Sequence, residues 1–180
     1  MDPCGFVRAV REGVRECLCK SGVNPREIRA ISASGIICGI VGIDKDWNPV
    51  TPFVPYLDNR ARCEAEWVKR NVKPVWEEES GNITVDEFMP PMILRWFLKH
   101  YTGFKEKAAK VLNNGPFVLG TLAGLKADEA FLDWATMSGW LIGYNVHDRQ
   151  WSKRQMDALE IPMDILPRIV KPWDVVGYLC

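Results

Sequence analysis

Histidine occurs only twice in this chain, at His100 and His147, and none of its six cysteines stands in a Cys-x-x-Cys pair. Structural zinc sites need four such ligands at short spacings, so a metal-organised fold is not the reading here. Charge imbalance is missing as well. With 23 basic and 23 acidic side chains, the chain has no net field to gather nucleic acid or to settle on an anionic membrane. The longest apolar stretch, Ile31 to Ile43, is broken by Ser and Gly and is too short to cross a bilayer. Neither Gly-x-x-x-x-Gly-Lys-Ser/Thr nor Gly-x-Gly-x-x-Gly occurs, so the two common phosphate cradles are absent. A charged segment follows the first residue at once, so an apolar leader is not expected. With Cys4, Cys17, Cys19, Cys38, Cys63 and Cys180 all expected as free thiols, a cytoplasmic setting is expected.

What is present suits one domain, or one and a fragment, at 180 residues. Asp2 and Pro3 read as the N-cap and first residue of a helix carrying Phe6, Val7, Val10, Val14, Cys17 and Leu18 on one stripe, closed by Gly22. The basic side chains of this helix, interleaved with Glu12 and Glu16, read as a solvated face. Next come apolar runs at Ile28–Ala33, Ile36–Ile43 and Val50–Tyr56. The last two flank the turn Asp44-Lys-Asp-Trp-Asn-Pro49, which predicts a β-hairpin. The hairpin ends in Asp58-Asn59-Arg60, a carboxylate and a guanidinium at a strand end, where binding groups often sit. A charged helix is expected over 61–71, capped by Asn59, and an acidic loop at Glu77–Glu79. Thr84 and Glu87 suggest a capping box before a helix that runs to His100. Thr102 is expected to cap a helix reaching Lys110, and Asn113-Asn114-Gly115-Pro116 is a turn signal before a short helix. Ser152 and Gln155 cap another.

Several of these stretches together resemble the amino-terminal domain of the FGGY carbohydrate kinases. The first is Ile31-Ser-Ala-Ser-Gly-Ile-Ile-Cys-Gly39, followed by a strand, an Asp-to-Pro turn, and Tyr56-Leu-Asp-Asn-Arg60. Phe88–His100 is similar to the family's first signature, and Leu132-Asp-Trp-Ala-Thr-Met-Ser-Gly139 to its Thr-Asp-Tyr-Ser-Asp-Ala-Ser-Gly. Asp148–Ser152 and Leu159–Pro162 are similar to its Arg-Asp-Trp-Ser and Leu-Gly-Ile-Pro. The resemblance implies an α/β fold: an incomplete ribonuclease-H-like (actin-like ATPase) domain with a mixed sheet, an inserted β-hairpin and flanking helices. Of the central five strands it implies only the one near Ile28–Ala33. Residues 1–180 would be part of the sugar-binding amino-terminal domain, without the Asp-x-Gly-Thr phosphate turn, the catalytic Asp segment or the nucleotide domain.

The resemblance also implies a function: transfer of phosphate from ATP, with Mg, to a sugar or polyol in the complete enzyme, and no cofactor in this chain. It places Ile37, Cys38, Asp58, Arg60 and Phe88 at the substrate. Cys38 stands where the xylulose-kinase branch has His, and a thiol is a poorer hydrogen-bonding group than an imidazole. Each residue also has a plain structural reading: Cys38 as a small buried strand residue, Asp58 and Arg60 as a pair fixing the strand end, and Phe88 as core. Asp133 reads as a helix cap. A non-catalytic binding or regulatory module on the same fold is the alternative. A cysteine hydrolase through Cys38 lacks His and Asp partners. The expected partners are a small sugar or polyol, and a second copy or a complementary chain to cover apolar surface; nucleic acid and membrane are not expected.

Overall fold

The computed structural model describes residues 1–179; Cys180 lies outside the described residues. The first helix, α1 (Pro3–Ser21), begins as its sequence requires. The Asp2 carboxylate accepts the Cys4 N–H at 3.0 Å, and Gly22 closes the helix in the left-handed region at φ 68°. Its apolar stripe is only half covered. Val7 is buried and Phe6 stacks edge-on against Phe53 at 5.4 Å, while Val10 and Val14 remain 38% and 42% exposed.

The expected strand at Ile28–Ala33 does not form. Among the described residues this segment has no ladder partner, and Ile28 and Ile31 are 46% and 41% exposed. Strand-like sequence becomes a strand only when a neighbour accepts its N–H and C=O groups, and none lies beside it here. The hairpin does form, with shorter arms than the apolar runs suggested: β1 (Gly39–Ile43) and β2 (Val54–Pro55), paired antiparallel through Gly39↔Pro55 and Ile40↔Val54. Its turn is held by the Asp44 carboxylate, which accepts the N–H groups of Asp46 and Asn48, both at 2.9 Å.

The chain continues through α2 (Arg62–Asn71), α3 (Glu77–Ser80), α4 (Pro90–His100) and α5 (Phe104–Lys107). Then come β3 (Lys110–Leu112), α6 (Asn114–Leu122), β4 (Phe131–Asp133) and α7 (Trp134–Ser138). The last elements are β5 (Tyr144–Asn145), β6 (Gln150–Trp151), α8 (Lys153–Ala158) and β7 (Arg168–Val170). Four local expectations need correction. Ala61, not Asn59, stands at the cap of α2. Met89 precedes α4 with no side-chain cap, so Thr84 and Glu87 form no box there. Gly103, not Thr102, precedes α5, which stops at Lys107 because Lys110 already belongs to β3. The acidic run Glu77–Glu79 winds into a short helix whose Glu79 accepts from Gln155 Nε2 at 2.8 Å and from the Ser152 hydroxyl.

β1 is the centre of the molecule. It pairs antiparallel with β2 on one side and β3 on the other, through Val41↔Leu112 and Ile43↔Lys110, and all five of its residues are buried. The period of two then divides the core. Ile40 points to a cluster built on α4, with Met92, Ile93 and Phe97. Val41 and Ile43 point to a cluster built on α6, with Phe117, Trp47 and Phe53. Gly42 faces the first cluster with no room for a side chain, since a Cβ there would stand 2.8 Å from the Phe104 ring. A separate parallel pair, β4 with β7, and an antiparallel pair, β5 with β6, complete the mixed α/β arrangement. No helix among the described residues is long and apolar enough to cross a membrane.

Candidate functional site

Residues 35–39 enter β1 through a tight passage. Gly39 sits at φ 113°, and a Cβ on it would lie 2.5 Å from the Val54 carbonyl oxygen. Both the backbone angle and the contact demand glycine. Across from it, a Cβ on Gly139 would stand 2.1 Å from Cγ1 of Ile37. Between these two glycines the side chains part. Ile37 is 52% exposed and lines a cavity of about 320 Å3 together with Ser34, Asn114, Asp133 and Thr136. Cys38 is buried, its thiol donating to the Gly139 carbonyl at 3.2 Å. Burial pushes the thiol's pKa up, away from the nucleophilic thiolate.

Asp58 and Arg60 follow β2 directly. The Asp58 carboxylate accepts Arg60 Nε at 2.9 Å, Nη2 at 2.7 Å and the Arg60 backbone N–H at 3.0 Å, a bidentate pair closed by a turn. The guanidinium lies 4.9 Å from the centre of the Trp96 ring. The Arg60 hydrogen bonds hold the Asp58 pKa below the usual carboxylate value against the opposing effect of burial; the amino-terminal ammonium adds to the lowering. That ammonium donates to the Phe53 carbonyl at 2.9 Å. Asp58 is therefore ionised at neutral pH and has much of its acceptor capacity already committed.

The hairpin brings Cys38 and Asp58 toward one end of the sheet. Gly39 pairs with Pro55, and the Pro55 carbonyl accepts the Asp58 N–H at 3.0 Å. Phe88 is half-buried and packs against the α4 cluster, as its core reading had it. Of the five residues singled out in the sequence, only Ile37 lines the cavity between residues 33–37 and the start of α6. Asp133 caps α7 through the Ala135 and Thr136 N–H groups, as expected, and also lines that cavity.

The residue the sequence did not single out is Asn113. It read only as part of a turn, yet it is wholly buried and its side chain bonds Ile37, Gly39 and Trp140. Nothing in an Asn-Asn-Gly-Pro string distinguishes a turn asparagine from one directed into a core.

Among the described residues no group of three or more His, Cys, Asp or Glu could hold a metal ion. Gly39 is packed against Val54 and Pro55, whereas Gly35 is exposed and lines the cavity beside Asn114.

The path of the chain follows part of solved kinases of the actin-like ATPase fold, without the strand expected at Ile28–Ala33. A gluconate kinase from Lactobacillus acidophilus superposes with a TM-score of 0.85 at 23% identity, over 100% of this chain and 35% of that one. A ligand-bound xylulose kinase from the same organism superposes with a TM-score of 0.83 at 23% identity, over 99% of this chain and 35% of that one. In sequence, a glycerol kinase from Albidiferax ferrireducens is 27% identical over 181 aligned residues, covering 93% of this chain and 34% of the relative. The sequence model of the FGGY family of carbohydrate kinases, N-terminal domain, matches residues 1–180, and the chain belongs to that family. It spans about a third of the length of the curated relatives it matches.

Proposed function

We infer that this chain is the sugar-binding part of an FGGY carbohydrate kinase, whose complete form transfers phosphate from ATP to a hydroxyl of a sugar or polyol. The observation that carries the reading is the hairpin end. There the ionised, bidentate Asp58–Arg60 pair stands one turn beyond β2, the strand that pairs with Gly39 and Ile40. A carboxylate and a guanidinium side by side offer an acceptor and donors to vicinal hydroxyls. Ile37 contributes an exposed apolar edge, and the half-buried Phe88 ring lies on the α4 side. The setting is cytoplasmic, with neither nucleic acid nor membrane as a partner, in keeping with a zero net charge.

This polypeptide of 180 residues does not carry out the transfer by itself. Phosphoryl transfer rests on positioned charge around the phosphates; the sequence carries neither of the two common glycine-rich phosphate motifs, and among the described residues no His, Cys, Asp or Glu cluster could hold a metal ion. A coupled assay of ATP turnover with glycerol, xylulose and ribulose tests this. The purified chain gives the no-protein rate; turnover above it, with contaminating kinases excluded by a tag-only purification, overturns the claim. A second reading, a non-catalytic binding or regulatory module, is favoured by one observation. Cys38 is buried and bonded to Gly139 rather than presented to a ligand.

A further inference from the structure

Asn113 is 0% exposed and joins three segments far apart in the chain. Its Nδ2 donates to the Ile37 carbonyl at 2.7 Å and to the Gly39 carbonyl at 3.0 Å, while its Oδ1 accepts the Trp140 indole N–H at 2.9 Å. The partners fix which way the amide points. Carbonyls only accept and an indole N–H only donates, so a flipped amide would satisfy none of the three.

The position explains the need. The ladder between β1 and β3 ends at Val41↔Leu112, because the chain turns into α6 at Asn114. Beyond the end of that ladder the Asn113 amide reaches the partly buried Ile37 carbonyl and the buried Gly39 carbonyl, two residues apart. The Asn113 side chain replaces the missing backbone. Holding both carbonyls also fixes the peptide planes around Cys38. Residues 37 and 38 lie in the bend just before β1, and their side chains part. As held, Ile37 is out at 52% exposure and Cys38 is in at 8%, against Gly139.

We propose that Asn113 is a positioning residue that sets which side chain the 37–39 segment presents at the candidate site. It turns Ile37 toward the cavity and withdraws Cys38. The proposal rests on the functional reading above only for what the presented surface would meet. The clamp itself is independent of any ligand.

The test is native-state labelling with N-ethylmaleimide, resolved cysteine by cysteine by mass spectrometry. Cys4, Cys17, Cys19 and Cys63 are exposed and serve as internal references. In the unaltered chain Cys38 reacts more slowly than all four. Asn113→Leu, close in volume and without a donor, raises Cys38 labelling by about tenfold or more, the worth of about one buried hydrogen bond. The four references do not change and the melt stays cooperative at a lower midpoint, which a general loss of structure would not allow. Unchanged Cys38 reactivity in a folded Asn113→Leu overturns the proposal. If that variant does not fold, the unaltered chain decides: both side-chain amide protons of Asn113 exchange with solvent far more slowly than those of an exposed asparagine such as Asn24. Equal exchange overturns the clamp. Failure of the chain to bind any sugar would sink the functional reading and leave these outcomes untouched.

Discussion

Glu64 shows what a single side chain does for this fold. It lies on α2 with its carboxylate only 6% exposed, and it meets Arg95 Nε at 3.1 Å, His100 Nε2 at 3.1 Å and Lys99 Nζ at 3.3 Å, all from α4. The Arg95 guanidinium in turn covers the Trp67 ring at 4.3 Å. Burial alone would raise the Glu64 pKa; the His100, Lys99 and Arg95 contacts outweigh it and hold the value below the usual 4.5. A depressed carboxylate stabilises the folded state fully above its unfolded pKa, and that contribution is lost as pH falls through the folded value. Thermal melts should therefore hold steady from pH 7 to about 5 and decline below about pH 4.5, the unfolded glutamate range. Glu64→Ala leaves Arg95 short of a buried partner and should cost about 3 kcal/mol at pH 7, with a flatter decline in acid. A variant as stable as the unaltered chain at pH 7, with the same acid slope, would show that the network carries no stability.

At the scale of elements, α1 and the segment after it are the least completed parts of the molecule. Val10 and Val14 continue the stripe that buries Val7, yet they face solvent, as do Ile28 and Ile31. Ile28 and Ile31 line a groove with residues 172–179, where Trp173 and Val175 are 71% and 74% exposed. An apolar surface of this extent is rarely left open on a monomer, and covering it is rewarded at about 25 cal/mol per Å2. The expected outcome is self-association, or capture of a complementary chain of the same family. Light scattering on the purified chain should return a mass above the 20.5 kDa of one copy, and Val10→Asp with Val14→Asp should shift it toward one copy. A monodisperse single copy with a cooperative melt and no binding of an apolar dye would contradict this.

The whole molecule was partly legible before its structure. Helix α1 with both caps, the hairpin and its Asp44 turn, and α4 through His100 all follow from local signals: a cap, a period, a turn residue. The strand expected at Ile28–Ala33 failed because ladder formation depends on a neighbour that sequence does not declare. For the same reason β3 and the parallel β4–β7 pair were not foreseen; each has three residues and gains its identity from a partner far along the chain. The candidate site divides in the same way. Asp58 and Arg60 meet because they are two residues apart, whereas Asn113 acts on residues more than seventy positions away. Family membership adds what local reading could not, since it links these short elements to a known path of the chain.

The measurement that bears most directly on the account is calorimetric titration of the purified chain with glycerol, xylulose, ribulose and gluconate, repeated on Asp58→Ala. The account predicts saturable heat with at least one of these ligands, weak and at one site per chain, and its loss in Asp58→Ala while the melt stays cooperative. No heat with any ligand from a folded chain, or an affinity unaltered by Asp58→Ala, would contradict a sugar site at the hairpin end.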